Sequence, residues 1–443
     1  IQEANLNPPG DTLKGSVISK VVAGTATFLN LSYNKQENIR LNFNGPLSSG
    51  LTATQSSVIT VSASTALDHF EIIPDQVTQT AGSPIALAIT AKDANNNTIK
   101  TYSGDGTLTI AGTTGTINWS GLGVSDAADP NGTYAGATAF HGTGSATMSI
   151  TNTAADNNKM VTIKDTASGK ESTTYVSWVS GVSTSFLIDT INSPQTAGVP
   201  FQITVKAVDD HGNVDLTFNA KTNLSDLTTK ISPAITPAFT AGVWTGNVTI
   251  TMSRSNNVIT ATVPGKTGPS NTFDVNAGTA AKLLIERQPS GGGSNPTAGI
   301  AFAQQPQIKI VDQYDNVRTT DNATVIAAAR SVGTDMLKGT ATAKVSLGVA
   351  TFVGLKYEKA EDMSIIFTAN GVTSIESDTL TILPGTIASY TVASATPQVA
   401  GVGFTNIITA KDAYNNIATN GTNGTSINLT TTGDPAKAKF YTN

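Results

Sequence analysis

The chain has 443 residues, a formal net charge of −5, 39% apolar and 13% charged residues, 40 glycines, three histidines and no cysteine. The absence of cysteine excludes disulfide frameworks, thiolate zinc sites, Cys nucleophiles and iron–sulfur clusters. An acidic balance without a basic cluster argues against nucleic acid as a partner, and no run of about 18 apolar residues is present to cross a bilayer as a helix.

The apolar content at low net charge is enough to build cores, and the bias toward Thr, Gly and Asn favours strands and turns over helices. Ile1 is followed by no charged-then-apolar leader, so the chain reads as a processed or trimmed product. The first recognisable stretch is GTATFLNLSY, from Gly24 to Tyr33. A different pattern begins near Ala66: ALDHFEIIP, QTAGSP and IALAITAKDANNN, ending at Asn97. It returns from Ser183 to Asn213, from Ala280 to Asn316 and from Thr386 to Asn416, with anchoring glycines at Gly82, Gly198, Gly299 and Gly401. The first stretch also returns, as GVATFVGLKY from Gly348 to Tyr357, and more loosely as AGVWTGNVTI from Ala241 to Ile250. Self-similarity at such a fixed period marks a repeat architecture.

Within the units, Ile85, Leu87, Ile89 and Ala91 alternate with small or polar neighbours, and Phe201, Ile203, Val205 and Ala207 alternate with Gln202, Thr204 and Lys206. Period two with one apolar face predicts half-buried antiparallel strands. Asn95-Asn96-Asn97, His211-Gly212-Asn213, Asp315-Asn316 and Asn415-Asn416 predict the turns that follow. Short strands and regular turns in units of this size predict an all-β fold, a linear array of tandem β-sandwiches. The expected division is a C-terminal half-unit at 1–64, whole units at 65–181, 182–278 and 279–385, and an N-terminal half-unit at 386–443. A half-sandwich cannot bury its own apolar face. Three readings fit the phase: a window on a longer array, half-units that pair between molecules, or degenerate caps.

The pattern TAG-x-P/F, an alternating strand and then A-x-D-x-x-x-N resembles the bacterial immunoglobulin-like repeat domains of cell-surface proteins. S-layer proteins, invasin/intimin-type adhesins and giant repeat adhesins carry such units. The third unit departs slightly, with Ile310 where the others have Ala. The resemblance implies immunoglobulin-like sandwiches stacked outside the cell. It says little about a partner, because this architecture hosts many functions.

The recurring pairs Asp93 with Asn97, Asp209 with Asn213, Asp312 with Asn316, and Asp412 with Asn416 are the candidate site. Calcium takes six to eight oxygen ligands from carboxylates, amides and carbonyls, and these loops offer some of them, so calcium is the one cofactor left open. Asp and Asn at fixed turn positions also close their own backbone hydrogen bonds, and recurrence in every unit suits that simpler role. The joints SASTALDHF, SGVSTSF, NAGTAAK and LPGTIAS hold only Asp68 as an acid, too little for calcium clamping between units, and read as semi-flexible linkers. His69, His141 and His211 are scattered, no Gly-x-Ser-x-Gly elbow is present, and no catalytic residue is assigned. Numerous Asn-x-Ser/Thr triplets, including Asn118, Asn322, Asn420 and Asn423, admit glycosylation. The functional expectation is a non-enzymatic, extracellular structural protein of an S-layer lattice or surface filament, partnered by copies of itself and open to contact with surface glycans. The alternatives are the passive stalk of a large adhesin and the accessory modules of a secreted polysaccharide-active enzyme.

Overall fold

Three separate apolar cores form along the chain, each between sheets whose strands follow the period-two pattern. The computed structural model describes residues 2–5, 12–45, 50–127, 129–394, 396–399, 401–419, 426–428, 430 and 432–433. The triplets at Asn420 and Asn423 lie outside the described residues. The chain is all-β: one four-residue helix, Gly136–Ala139, accompanies more than thirty short strands among the described residues.

In the first core, strand Ile85–Lys92 buries Ile85, Leu87, Ile89 and Ala91 completely. It lies antiparallel between His69–Pro74 and Ser145–Asn152, with Ile117–Gly121 at the edge. The facing sheet has six strands, running from Val124–Asp126 through Gly132–Tyr134, Gly106–Ile110, Lys159–Asp165 and Glu171–Val179 to Thr78–Thr80. The antiparallel pair Val124–Asp126 and Gly132–Tyr134 therefore extends this sheet beyond Gly106–Ile110. Thr78–Thr80 runs parallel to Glu171–Val179 after leaving the opposite sheet. Sandwiches tie their two layers together in this way when one strand's ends belong to different sheets.

The second unit repeats the plan. Ser185–Ile188, Phe201–Val208, Val243–Ile250 and Ile231–Ser232 form one sheet, and Gln195–Thr196 pairs parallel with Phe273–Asn276 in another. The third packs Lys282–Arg287, Gln307–Val311 and Val349–Thr351 against Thr342–Lys344, Val325–Arg330, Ile365–Thr368 and Ile375–Glu376. These are immunoglobulin-like β-sandwiches in tandem. Trp119, Trp178 and Trp244 are all buried in them, and the indole N–H groups of Trp119 and Trp178 donate to the carbonyls of Pro130 and Ser83, both at 3.1 Å. Buried indole retains its packing benefit only when that donor is satisfied.

At the two ends the layers are thinner. Asn38–Phe43 pairs with Gln2–Asn5 and Thr54–Gln55, and buries Ile39 and Leu41. Among the described residues Ser389–Ser394 pairs with Asn406–Lys411 alone, and Tyr390, Val392 and Ile407 are exposed.

Candidate unit-to-unit clasp

Each Asp-x-x-x-Asn segment directly follows a strand, and in the three whole units that strand lies between two partners in its sheet. In each, the Asp backbone N–H donates to the carbonyl of the Asn, at 3.0, 2.9, 3.1 and 3.0 Å in chain order. The residue three after the Asp is left-handed: Asn96 at φ 64°, Gly212 at 84°, Asp315 at 67° and Asn415 at 67°. Asn, Asp and Gly are the residues that accept this conformation at low cost, which is why the turn signals fall there.

The carboxylate is aimed inward and is nearly inaccessible, with Asp93 1%, Asp209 6%, Asp312 1% and Asp412 3% exposed. One oxygen holds the turn. Asp209 Oδ1 accepts the backbone N–H groups of His211 and Asn213, both at 2.9 Å. The other oxygen reaches the linker that enters the unit. Ser64, Gly181, Gly278 and Gly385 donate their backbone N–H to Asp93, Asp209, Asp312 and Asp412 at 2.9, 2.8, 2.8 and 2.8 Å. That oxygen also accepts from the Asn side-chain amide, at 3.1, 3.1, 2.8 and 2.8 Å. Burial alone pushes each of these four carboxyls up, but the converging N–H donors outweigh it and hold every one below the usual carboxylate value.

The Asn then spans the joint. Its amide N–H donates to a carbonyl of the preceding unit: Asn97 to Asn34, Asn213 to Thr153, Asn316 to Thr251 and Asn416 to Glu358, at 2.7, 2.9, 2.8 and 2.8 Å. Its carbonyl oxygen accepts the backbone N–H two residues further on in that same loop, from Gln36, Ala155, Ser253 and Ala360, at 2.7, 2.9, 2.8 and 2.9 Å. The Asp thus fixes the linker and the Asn, and the Asn fixes the neighbouring unit. The joints read as semi-flexible linkers are tied in at both places, because a backbone N–H buried beside a carboxylate is held by a charge-assisted bond.

The receiving loops have their own lock, which sequence reasoning missed. The residues flanking the loop, four apart, bond to each other in three of four joints. Tyr33 donates to Glu37, Asn152 Nδ2 to Asp156 at 2.9 Å, and Tyr357 to Glu361 at 2.6 Å. Ile250 and Arg254 hold those places in the remaining joint. The signal was available, since Tyr33 with Glu37 and Tyr357 with Glu361 share one offset between the two GxATF stretches. Glu361 is pushed up by burial, yet Tyr357 and Thr334 together bring it down to about 2. Tyr357→Phe is therefore expected to destabilise the third unit by about 2 kcal/mol, because the Tyr hydroxyl bridges Glu361 and the N–H groups of Thr334 and Asp335. Urea unfolding of the variant checks it, and a loss below about 0.5 kcal/mol would contradict the lock.

Among the described residues, every donor that faces the four Asp carboxylates is an N–H group. Among the described residues no group of three or more His, Asp or Glu side chains is gathered where it could hold a metal ion, and no helix is long and apolar enough to cross a membrane. His69 lies 3.1 Å from Asp68 at a half-buried strand end, and His211 sits in a turn.

No protein-family model and no curated protein matches the chain. Among solved structures, an Escherichia coli adhesin, FdeC, is similar at 18% identity over 72% of this chain and 98% of that one, with a TM-score of 0.31. Yersinia pseudotuberculosis InvD is similar at 12% identity over 70% of this chain and 97% of that one, with a TM-score of 0.30. Domains 4–9 of the surface layer protein SbsC are similar at 17% identity over 85% of this chain and 58% of that structure, with a TM-score of 0.21.

Proposed function

We propose that this chain is a structural cell-surface protein. Its immunoglobulin-like units, dividing near residues 65, 182, 279 and 386, act outside the cell as a stiff segment of an S-layer lattice or surface filament. The observation that carries the reading is the clasp: the same Asp and Asn atoms make the same bonds at four successive joints, which suits a part whose task is to hold geometry over distance. A chain that lacks cysteine has no disulfide to stiffen its joints, and the buried Asp–Asn pair supplies that stiffness with hydrogen bonds. The polar Thr- and Asn-bearing outer strand faces meet water, glycans and neighbouring copies. No catalytic step is assigned.

In this reading Asp93, Asp209, Asp312 and Asp412 work without calcium, because their oxygens are already engaged by N–H donors that a cation would have to displace. The experiment combines small-angle scattering with sedimentation. An extended particle whose maximum dimension is unchanged by EDTA, and which associates with itself as concentration rises, is the expected result. A particle that stays extended but monomeric at all concentrations transfers the reading to an adhesin stalk. A collapse on EDTA would overturn the metal-free clasp.

A further inference from the structure

The anchoring glycines carry a second joint contact that the clasp does not include. Gly82, Gly198 and Gly299 have φ of +82°, +79° and +79°, and each faces a single side chain of the following unit. A Cβ built on Gly82 would overlap the ring of His211, one on Gly198 the ring of Tyr314, and one on Gly299 the ring of Tyr414, all under 3.0 Å. The three partners occupy one position, two residues after the clasp Asp. Their backbone N–H groups are the donors that hold the turn to Asp209, Asp312 and Asp412 at 2.9, 2.8 and 2.9 Å. The clasp therefore sets where the ring stands, and the glycine supplies the flat place that receives it.

We propose that this end face is a recognition surface for another unit of the same kind, and that the ring two after the Asp is the residue that sets the joint angle. The partner is a turn of the form Asp-x-ring-x-Asn, with Tyr or His as the ring. The clasp ties the linker through the Asp and the preceding unit through the Asn. A ring seated on a bare backbone adds a contact away from those bonds, and a further separated contact narrows the orientations open to the joint. Gly401 repeats the face at φ +85°, and among the described residues a Cβ there would meet nothing within 4 Å. It presents the same seat to a further turn of this kind.

The absence of cysteine makes the test direct. Spin labels at Ser225→Cys and Thr342→Cys, both on exposed strand positions, report the joint between the second and third units as a distance distribution. Tyr314→Ala, which removes the ring and leaves the clasp, is expected to broaden that distribution about twofold. Gly198→Ala is expected to displace its mean by evicting the ring. Gly401→Ala imposes the same strain from a positive φ with no ring of the described residues opposite, and is expected to leave the distribution as it was. An unchanged distribution in both Tyr314→Ala and Gly198→Ala would overturn the proposal, as would an equal change in Gly401→Ala. The inference rests on the structural role proposed above, but its readout is local. An extended, self-associating array whose joints ignore the ring would refute this contact and leave that role standing.

Discussion

Asp209→Ala is expected to lower the stability of the second unit by about 4 kcal/mol, a large loss for one side chain. The carboxylate is almost wholly buried and accepts the backbone N–H groups of His211, Asn213 and Gly181 and the amide of Asn213. Each donor left unsatisfied in a dry site costs about 1–3 kcal/mol, and water entering the vacated space recovers part of that sum. The loss crosses the joint, because Asn213 depends on Asp209 for the orientation in which it meets Thr153 and Ala155. Asp209→Asn, which keeps the shape and one acceptor oxygen, is expected to lose about half as much. The pH dependence has a definite sign. The folded carboxyl lies below its ordinary value of 3.8, so its contribution is fully present above pH 3.8 and disappears as pH falls through the lower folded value. The wild-type unit should weaken in that acid window, and the Asp209→Ala unit should not show this component. Urea titrations across pH, with and without EDTA, check all of this. A large drop on EDTA in the wild type that is absent from the variant would show a metal where we place N–H donors.

Trp178→Ala is expected to cost the first unit about 4 kcal/mol and to lower its melting transition by about 20 °C. Trp178 is 1% exposed within the largest of the three cores, and its indole N–H is satisfied by Ser83, so truncation leaves both a cavity and an orphaned carbonyl. The cores share no residue: the first runs from Phe70 to Trp178, the second from Phe186 to Val275, the third from Leu283 to Ile382. Calorimetry should therefore show one transition moving far while the others move by only the few degrees that one clasp transmits. A single cooperative transition that shifts as a whole would mean that the joints couple the units more tightly than hydrogen bonds at one loop allow.

The strands and their faces were legible in the sequence because they depend on short-range alternation. Ile85, Leu87 and Ile89 face the core wherever the strand lies, since a pleated strand sends every second side chain the same way. The turn character of Asp93 to Asn97 and its three counterparts was legible for the same reason: its bonds join residues two to four apart. The calcium reading arose from those residues too, because oxygen-bearing side chains look alike in sequence whether they face a cation or N–H donors.

The destination of the Asn side chain was not legible. Asn213 meets a carbonyl 60 residues away and Asn316 one 65 residues away, and both contacts are to backbone, which the receiving side chains do not announce. Nor could the sequence say why the glycine of each TAG motif is a glycine. A left-handed turn would have been reason enough, and the ring of the next unit is visible only once two units are set end to end. The sequence by itself determined the period, the all-β units, the absence of thiol chemistry and the local turns, all of which follow from composition and from contacts a few residues long. The tertiary structure alone decided that those turns join one unit to the next, because a backbone carbonyl carries no mark in the sequence and acquires its partner only when the chain has folded.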